Sequence, residues 1–241
     1  MQHRFKPTFF LSLFCLVLLS TFVSLGVWQV NRVEEKQQMQ AEIEYLMAQP
    51  ARNLNQTSLD TIAQHQKATV TGQFKTEHQF LLDNIIQDGK PGYYVMTPFM
   101  IEGTQTSILI NRGWVHQGKN RQQLPSINTP SETLTLTGKL ANPRSKPVVL
   151  GNLDTPKSDQ TPLWFYMDLA YFRLSVDYPV LPLVLRLDPT KNSTLIRHWP
   201  EFSAKTGMHI GYAIQWFVFA LFVLFAFVGT SVKKEEGLLN D

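Results

Sequence analysis

Two long uncharged apolar runs dominate the hydrophobic pattern, one near each end of the sequence. Residues 8–28 form a run of 21, and residues 210–232 form a run of 23. Because a helix of roughly 20 apolar residues crosses the hydrocarbon core of a bilayer, both runs predict transmembrane helices. The first run exceeds the roughly 7–15 residues of a signal-peptide core, and no small-x-small cleavage pattern follows it, so we expect an uncleaved anchor.

Between the two runs the pattern changes from helical to strand-like. Apolar residues at three- to four-residue spacing over residues 33–47 predict a helical continuation of the first run, which stops before Pro50. Residues 52–66 are polar, and residues 117–129 have the composition of a loop. Strands are predicted at residues 68–74, 80–83, 93–99, 107–115, 134–140, 147–150 and 180–187. Residues 164–168 precede a short helical stretch near residues 169–174.

Short strands without long intervening helices favour an antiparallel sheet or a partly closed barrel over a parallel sheet. The predicted fold class is therefore a membrane protein of the α+β type, in which two transmembrane helices flank a β-dominated extracytoplasmic domain. Residues 70–74 and 136–140 resemble each other, each with a Thr-Gly pair. They indicate either a faint repeat or two strands with a glycine bulge.

Basic residues flank the apolar runs on their outer sides. Arg4 and Lys6 precede the first run, and Lys233 and Lys234 follow the second. The positive-inside rule then places both termini in the cytoplasm of a multi-pass protein of the cell (plasma or inner) membrane, with the central domain in the periplasm. The predicted segments are a cytoplasmic N-terminus 1–7, helices 8–28 and 209–232, an extracytoplasmic domain 29–208 and a cytoplasmic C-terminus 233–241.

The central segment carries no charge field of one sign. Residues 33–207 hold 17 Lys and Arg against 16 Asp and Glu, within a chain of net charge +3. A nucleic-acid partner is therefore not expected. The single cysteine, Cys15, lies in the first apolar run, so the central domain has no disulfide and no thiolate metal site.

The sequence offers little for catalysis. It contains no nucleophile elbow, no His-Glu-x-x-His, no phosphate-binding glycine loop and no dinucleotide fingerprint, so we expect a protein that is not an enzyme. Four histidines of the central segment lack metal-ligand spacing: His65, His78, His116 and His198. The methionines are scattered rather than clustered, which disfavours a copper carrier.

His209 stands at the mouth of the second apolar run, and an ionisable side chain there is a candidate functional site. On a helix, His209, Tyr212 and Trp216 share one stripe. Trp28 and Arg32 lie one turn apart where the first helix leaves the bilayer. If the helices pair, these five residues become neighbours at the outer interface.

A plainer interpretation applies to the same residues. Aromatic side chains form belts at membrane interfaces, and an arginine such as Arg32 anchors a helix in the headgroups. His209 can equally be an interfacial or capping histidine. Gln29 and Gln215 add polar groups near the bilayer edge, where they can hydrogen-bond between the helices.

A ligand that is both apolar and anionic fits this set of residues. Neutral imidazole is a common axial ligand of haem iron, aromatic faces pack on the macrocycle, and an arginine pairs with a propionate. The residues alone leave this interpretation and the interfacial one open.

Five motifs in order resemble the Surfeit locus protein 1 family over residues 25–217. They are Leu-Gly-x-Trp-Gln-x-x-Arg-x-x-x-Lys at 25–36, Gly-x-Tyr-Val-x-Thr-Pro at 92–98, Ile-Asn-Arg-Gly-Trp-Val at 110–115, Trp-Phe-x-x-Asp at 164–168 and His-x-Gly-Tyr-Ala-x-Gln-Trp-Phe at 209–217. Members of this family are cytochrome c oxidase assembly proteins with two membrane helices and one large outer domain.

The resemblance implies a role in maturing the haem-copper oxidase around the insertion of haem A into subunit I. It implies haem A as a transiently bound cofactor, His209 as the ligand of its iron, and oxidase subunit I, haem A synthase and membrane lipid as partners. Tyr212, Trp216, Trp28 and Arg32 would complete the binding site. Where family members often carry an Asn shortly before this histidine, this chain has Thr206, Gly207 and Met208. Thr206 or Gly207 would then cap the helix.

Two other functions stay open. One is a scaffold that stabilises subunit I or the haem A supplier without holding cofactor. The other is a membrane sensor whose outer domain binds a small ligand.

Two motifs of the central domain have structural interpretations. The family resemblance makes residues 111–114 a structural or partner-contact signature, whereas a strand-to-turn junction uses Gly113 for the backbone and Trp114 for the core. Asp168 is expected to cap the helical turn that follows it.

Overall fold

The structure is a computed structural model that describes residues 3–58, 61–118, 120–143, 162–191, 193–200 and 202–234. Its helices are α1 (Phe9–Ala48), α2 (Leu169–Leu174) and α3 (Gly207–Ser231). Its strands are β1 (His3–Phe5), β2 (Arg52–Asn53), β3 (Lys67–Phe74), β4 (Phe80–Gln87), β5 (Lys90–Ile101), β6 (Ser107–His116), β7 (Leu134–Ala141), β8 (Leu163–Trp164), β9 (Val180–Leu187) and β10 (Val232–Lys234). The chain divides into two compact units, Met1–Glu42 with Phe202–Asp241 and Ile43–Glu201.

The first unit is built on two helices that are long and apolar enough to cross a membrane. The predicted first span and its amphipathic continuation form the single helix α1 of 40 residues, which ends two residues before Pro50. The short strands β1 and β10 pair antiparallel, with Arg4 opposite Lys233. Both ends of this unit therefore lie at the same end of the helix pair.

The second unit contains a closed barrel of five strands. The strands follow one another in the ring order β3, β7, β9, β6 and β5, and β5 pairs with β3 to close it. Of the two predicted alternatives, an antiparallel sheet and a partly closed barrel, the barrel is present, and its ring of five strands is closed; β2, β4 and β8 extend the sheet beyond the ring. Closure leaves none of the five strands with a free edge.

The barrel is mixed rather than purely antiparallel, which corrects the predicted strand direction. β6 and β9 pair in parallel, with Leu109 opposite Val184, and β2–β3 and β4–β8 are also parallel. Parallel neighbours need a long connection, and β7, β8 and α2 intervene between β6 and β9 in the chain. The pattern of short strands therefore indicated a barrel without indicating this pairing.

Most predicted strands are present with longer ends. β9 occupies the predicted residues, and β4 and β5 each extend three or more residues beyond their predictions. The strand predicted at residues 147–150 lies outside the described residues. The Asp168 prediction is confirmed, because its Oδ1 accepts a 2.9 Å hydrogen bond from the Tyr171 amide and caps α2.

Three hydrophobic clusters stabilise the described part of this unit, and the smallest consists of Leu81, Tyr93, Val95 and Leu195. The first takes residues from all five ring strands and fills the barrel, and its members include Val70, Phe99, Ile110, Leu140 and Leu185. The second packs α2 against the sheet through three aromatic rings, in which Phe80 stacks on Trp164 and Phe172 is tilted against both. Burial of these side chains is the main stabilising contribution in this unit.

Two glycines sit where neighbouring barrel strands approach each other closely. The similar segments around Gly72 and Gly138 pair directly, since β3 and β7 run antiparallel in unbroken register from Lys67–Lys139 to Gly72–Leu134. The predicted glycine bulge is therefore wrong. A Cβ on Gly72 would lie 1.9 Å from the Met100 carbonyl oxygen, and one on Gly138 would lie 2.2 Å from that of Arg186.

Replacing Gly138 by alanine is expected to destabilise the barrel by about 1–3 kcal/mol, because the new methyl group forces the β7 and β9 backbones apart. The measurement is thermal unfolding of the full chain in an uncharged detergent, followed by near-ultraviolet circular dichroism. Thr137→Ala is the matched control, since Thr137 is the exposed neighbour on the same strand. Equal unfolding temperatures for the two variants would contradict the close-approach argument.

Candidate functional site

His209 lies in the first turn of α3, two residues after the helix begins. Thr206 occupies the N-cap position, but its side chain makes no capping hydrogen bond. The predicted Thr206 cap is thus a backbone feature only, in which the Thr206 carbonyl accepts from the Ile210 amide at 3.0 Å. The side chain of His209 is half-buried and finds its partner on the other helix.

That partner is Gln29 of α1. Nδ1 of His209 lies 2.8 Å from Oε1 of Gln29, whose side chain is only 8% exposed. An amide oxygen can only accept, so Nδ1–H of the imidazole donates. In the neutral ring this fixes the proton on Nδ1 and leaves the lone pair of Nε2 available to a ligand.

Small and aromatic residues bring the two helices together around this bond. Along α3, Ala213 and Ala220 are buried one and three turns beyond His209. On α1, Gly26 lies so close to the Phe217 ring that a Cβ there would be 2.8 Å from it. Small residues allow close helix approach in membrane proteins. Phe22 lies one turn before Gly26 on α1 and stacks on Trp216 of α3, with ring centroids 5.7 Å apart.

The other predicted site residues fall at the edge of this face. Tyr212 is 46% exposed and Trp28 is 50% exposed. The guanidinium of Arg32 lies over the Trp28 ring at 5.8 Å and pairs with Glu35 at 2.6 Å. Among the described residues, no hydrogen bond or ring contact joins His209 to Trp28, Arg32, Tyr212 or Trp216. The structure therefore brings His209 together with Gln29, Trp28 with Arg32, and Trp216 with Phe22.

The donor set around His209 suits an axial ligand of haem. Metal-binding histidines commonly donate their second ring N–H to an acceptor that fixes the tautomer, and Gln29 Oε1 fills that role here. Exposed aromatic faces at Tyr212 and Phe217 follow on the same helix. The ion pair of Arg32 is solvent-exposed and therefore weak, so its guanidinium can exchange to another anion. Within the described ranges, no group of three or more His, Cys, Asp or Glu side chains is placed to hold a metal ion.

The barrel unit contains a second polar arrangement, centred on Arg112. In β6, Gly113 faces Val95 and Asn111 faces Met96, so Arg112 is the extra residue of a β-bulge. Gly113 adopts φ +137°, and Trp114 is buried with its indole N–H donating to the Ile85 carbonyl at 3.0 Å. The motif thus lies inside a strand rather than at a strand end, while the roles expected of Gly113 and Trp114 are confirmed.

The bulge turns Arg112 into the protein, where only 8% of it is exposed. Its Nη1 donates to Gln79 Oε1 at 2.9 Å and to the Thr129 hydroxyl, and its Nη2 donates to the Asn128 carbonyl at 2.8 Å. Burial, and secondarily the nearby Arg197, lower the pKa of Arg112 to about 10. Burial also lowers the pKa of Arg197, which Asp188 partly opposes.

Sequence reasoning missed part of each arrangement. Gln29 was noted as a polar residue near the bilayer edge, but nothing in the sequence paired it with His209, 180 positions away. Arg112 was noted within its motif and not as a buried cation. Nothing in the sequence marked Arg197 as a site residue, because its position beside Arg112 depends on the path by which the chain returns to β6 after β9.

Together, these features define a class of protein in which two membrane-compatible helices are joined by a polar contact. In the sequence, the two helices stand before and after a small β-barrel unit. A family model described as the SURF1 family matches residues 16–221, and the chain belongs to this family.

Individual relatives agree with this assignment. A SURF1-like protein of Rickettsia felis is 30% identical over 228 residues, which cover 88% of this chain and 94% of the relative. The SURF1-like protein of Rickettsia prowazekii is 28% identical, over 88% of this chain and 87% of the relative. The cytochrome oxidase assembly protein SHY1 of Saccharomyces cerevisiae is 26% identical over 60% of this chain and 38% of its own length.

The Gln29 contact makes a prediction about the His209 ring. In full chain labelled with ¹⁵N-histidine, His209 is expected in the Nδ1–H tautomer, and Gln29→Leu is expected to remove that preference because it removes the acceptor. Nitrogen NMR in detergent measures the tautomer, with His209→Ala identifying the signal.

Gln215→Leu is the matched control for this experiment. Gln215 is an exposed glutamine on the same helix as His209, and its side chain makes no hydrogen bond within the described structure. A tautomer unchanged by Gln29→Leu, or changed equally by Gln215→Leu, would show that Gln29 does not set the state of the ring.

Proposed function

We propose that this protein is a non-enzymatic assembly factor for cytochrome c oxidase that binds haem A through His209 while the cofactor is inserted into subunit I. Membership of the SURF1 family and the similarity to the yeast cytochrome oxidase assembly protein support the oxidase assembly role. The observation that supports haem binding is the hydrogen bond from His209 Nδ1 to Gln29, which leaves the lone pair of Nε2 available to a ligand.

The other predicted site residues have supporting roles in this proposal. Trp28, Tyr212 and Trp216 supply aromatic surface for the macrocycle, and Arg32 pairs with a propionate after releasing Glu35. Haem, when bound, supplies an iron that takes the Nε2 lone pair. Haem A synthase is the proposed supplier, oxidase subunit I the proposed receiver, and membrane lipid the surrounding medium.

We further propose that both helices span the cell membrane, with the two termini in the cytoplasm and residues 29–208 in the periplasm. The apolar length of α1 and α3 supports the spans. The β1–β10 pair, which joins the two ends of the helix unit, supports a common side for the termini. The basic residues at these ends favour the cytoplasmic side.

Haem content tests the cofactor proposal. Full chain purified from cells that make haem A is expected to carry haem A, and His209→Ala is expected to lower the haem-to-protein ratio at least about tenfold because it removes the iron ligand. Gln29→Leu is expected to weaken binding by about tenfold, as is typical when the orienting partner of a ligand is lost. The absorption spectrum measures both.

His198→Ala is the control, since it removes an exposed histidine of the barrel unit. Oxidase activity in cells that carry each variant in place of the wild type gives the second readout, and His209→Ala should lower it. Wild-type protein free of haem, together with full oxidase activity in His209→Ala cells, would favour the cofactor-free scaffold. The observation that supports the cofactor-free scaffold is that His209 already has a hydrogen-bond partner within the protein, Gln29.

The membrane orientation has its own test. In a Cys15→Ser background, a cysteine at Leu174, which is 88% exposed on α2, is expected to react with a membrane-impermeant maleimide in intact spheroplasts. A cysteine at the exposed position Lys6 is expected to react only after lysis. The reverse pattern, or equal labelling at both positions, would overturn the proposed topology.

A further inference from the structure

A cleft of about 630 Å³ opens in the barrel unit between the loop before β7 and the segment after β9. Its volume lies within the range of about 300–1,000 Å³ that is common for small-molecule sites. The lining is mixed: Val115, Ile127 and Leu195 provide apolar surface, while Ser126 and Ser193 provide hydroxyl groups. Arg112 and Arg197 also line it.

Among the described residues, the hydrogen-bond acceptors of the two guanidinium groups in this cleft are all neutral. The donors of Arg112 are directed to an amide oxygen, a hydroxyl and a backbone carbonyl. Arg197 donates from Nε to the Arg112 carbonyl at 2.9 Å and from Nη1 to the Asp188 carbonyl at 2.8 Å. In the part of the chain that the structure describes, neither arginine forms an ion pair with a carboxylate.

Among the described residues, this arrangement leaves both cations without a directly paired carboxylate, and the carboxylate of Asp188 acts on Arg197 only through its charge. A buried cation costs free energy unless an opposite charge or strong hydrogen bonds compensate it, and two guanidiniums in one cleft also repel each other. Burial lowers both pKa values, and the charge of Arg197 lowers that of Arg112 further, whereas Asp188 partly opposes the fall at Arg197. Nη2 of Arg197 has no hydrogen-bond acceptor among the described residues, and Arg197 lines this cleft as well as a second one beside Asp188.

We propose that the cleft between Arg112 and Arg197 binds the carboxylate of a small organic acid. Arg197 would donate a hydrogen bond from Nη2 to a carboxylate oxygen. Arg112 would keep its present hydrogen bonds and attract the carboxylate through its positive charge. The hydroxyl groups of Ser126 and Ser193 supply further donors, and the apolar residues accommodate a short hydrocarbon body. A guanidinium fork matches the planar carboxylate in shape and charge. This site is separate from His209 and does not rest on haem binding.

Titration calorimetry of the full chain in an uncharged detergent at low salt tests the proposal, with pentanoate as the probe. Saturable binding is expected for pentanoate and not for the neutral pentanamide, because the amide lacks the charge. Arg197→Gln is expected to weaken pentanoate binding at least about tenfold, since it removes a charged donor. Arg197→Lys keeps the charge without the fork and is expected to weaken binding less.

Lys191→Gln is the matched control, because Lys191 is an exposed cation of the same segment and does not line the cleft. Its binding should equal that of the wild type, and the unfolding temperature of every variant reports whether the barrel is intact. The proposal is overturned if pentanoate does not bind, if a folded Arg197→Gln variant binds as the wild type does, or if Lys191→Gln weakens binding equally. Binding of inorganic phosphate in place of pentanoate would overturn the ligand class.

Discussion

Polar groups that are withdrawn from water must find partners inside the protein, and this constraint organises both units of the chain. In the barrel it requires the backbone of β3 to pair on both sides, with β7 and with β5, so that the ring closes. In the helix unit it requires a partner for Gln29, which lies among apolar residues and is almost fully buried. His209 is that partner, so the helix pair holds a defined polar contact instead of packing through apolar contacts alone.

Closure of the barrel has a local consequence at β6. This strand pairs with β5 on one side and with β9 on the other, and the bulge at Arg112 breaks its register with β5. The extra residue turns a guanidinium inward, where an amide, a hydroxyl and a carbonyl accept its hydrogen bonds. The bulge also exposes the Arg112 carbonyl to Arg197, which is how two cations come to share one cleft. The β-bulge in β6 thus accounts for both the buried guanidinium of Arg112 and its proximity to Arg197.

The sequence predicted those features that depend on neighbouring residues. The extent of β9, the Asp168 cap and the end of α1 shortly before Pro50 follow from local patterns of apolar residues, capping side chains and proline. The parallel β6–β9 pair could not be predicted, because it depends on the path of a long connection. The contact between His209 and Gln29 also depends on how distant parts of the chain pack, so the sequence indicated both residues but not their hydrogen bond. Tyr212 shares the predicted stripe but faces outward, because Ala213 occupies the buried position beside it.

Under the haem-binding function that we propose, the contact between Gln29 and His209 has the same geometry with and without the cofactor. The bond uses Nδ1, whereas a metal would use Nε2, so binding or release at Nε2 leaves the helix contact intact. Ala213, Ala220 and Gly26 fix the helix approach independently of any ligand. A transient haem carrier needs this property, since loss of the cofactor must not release a buried glutamine from its partner. The same property explains why a structural role for His209 and a ligand role are compatible rather than opposed.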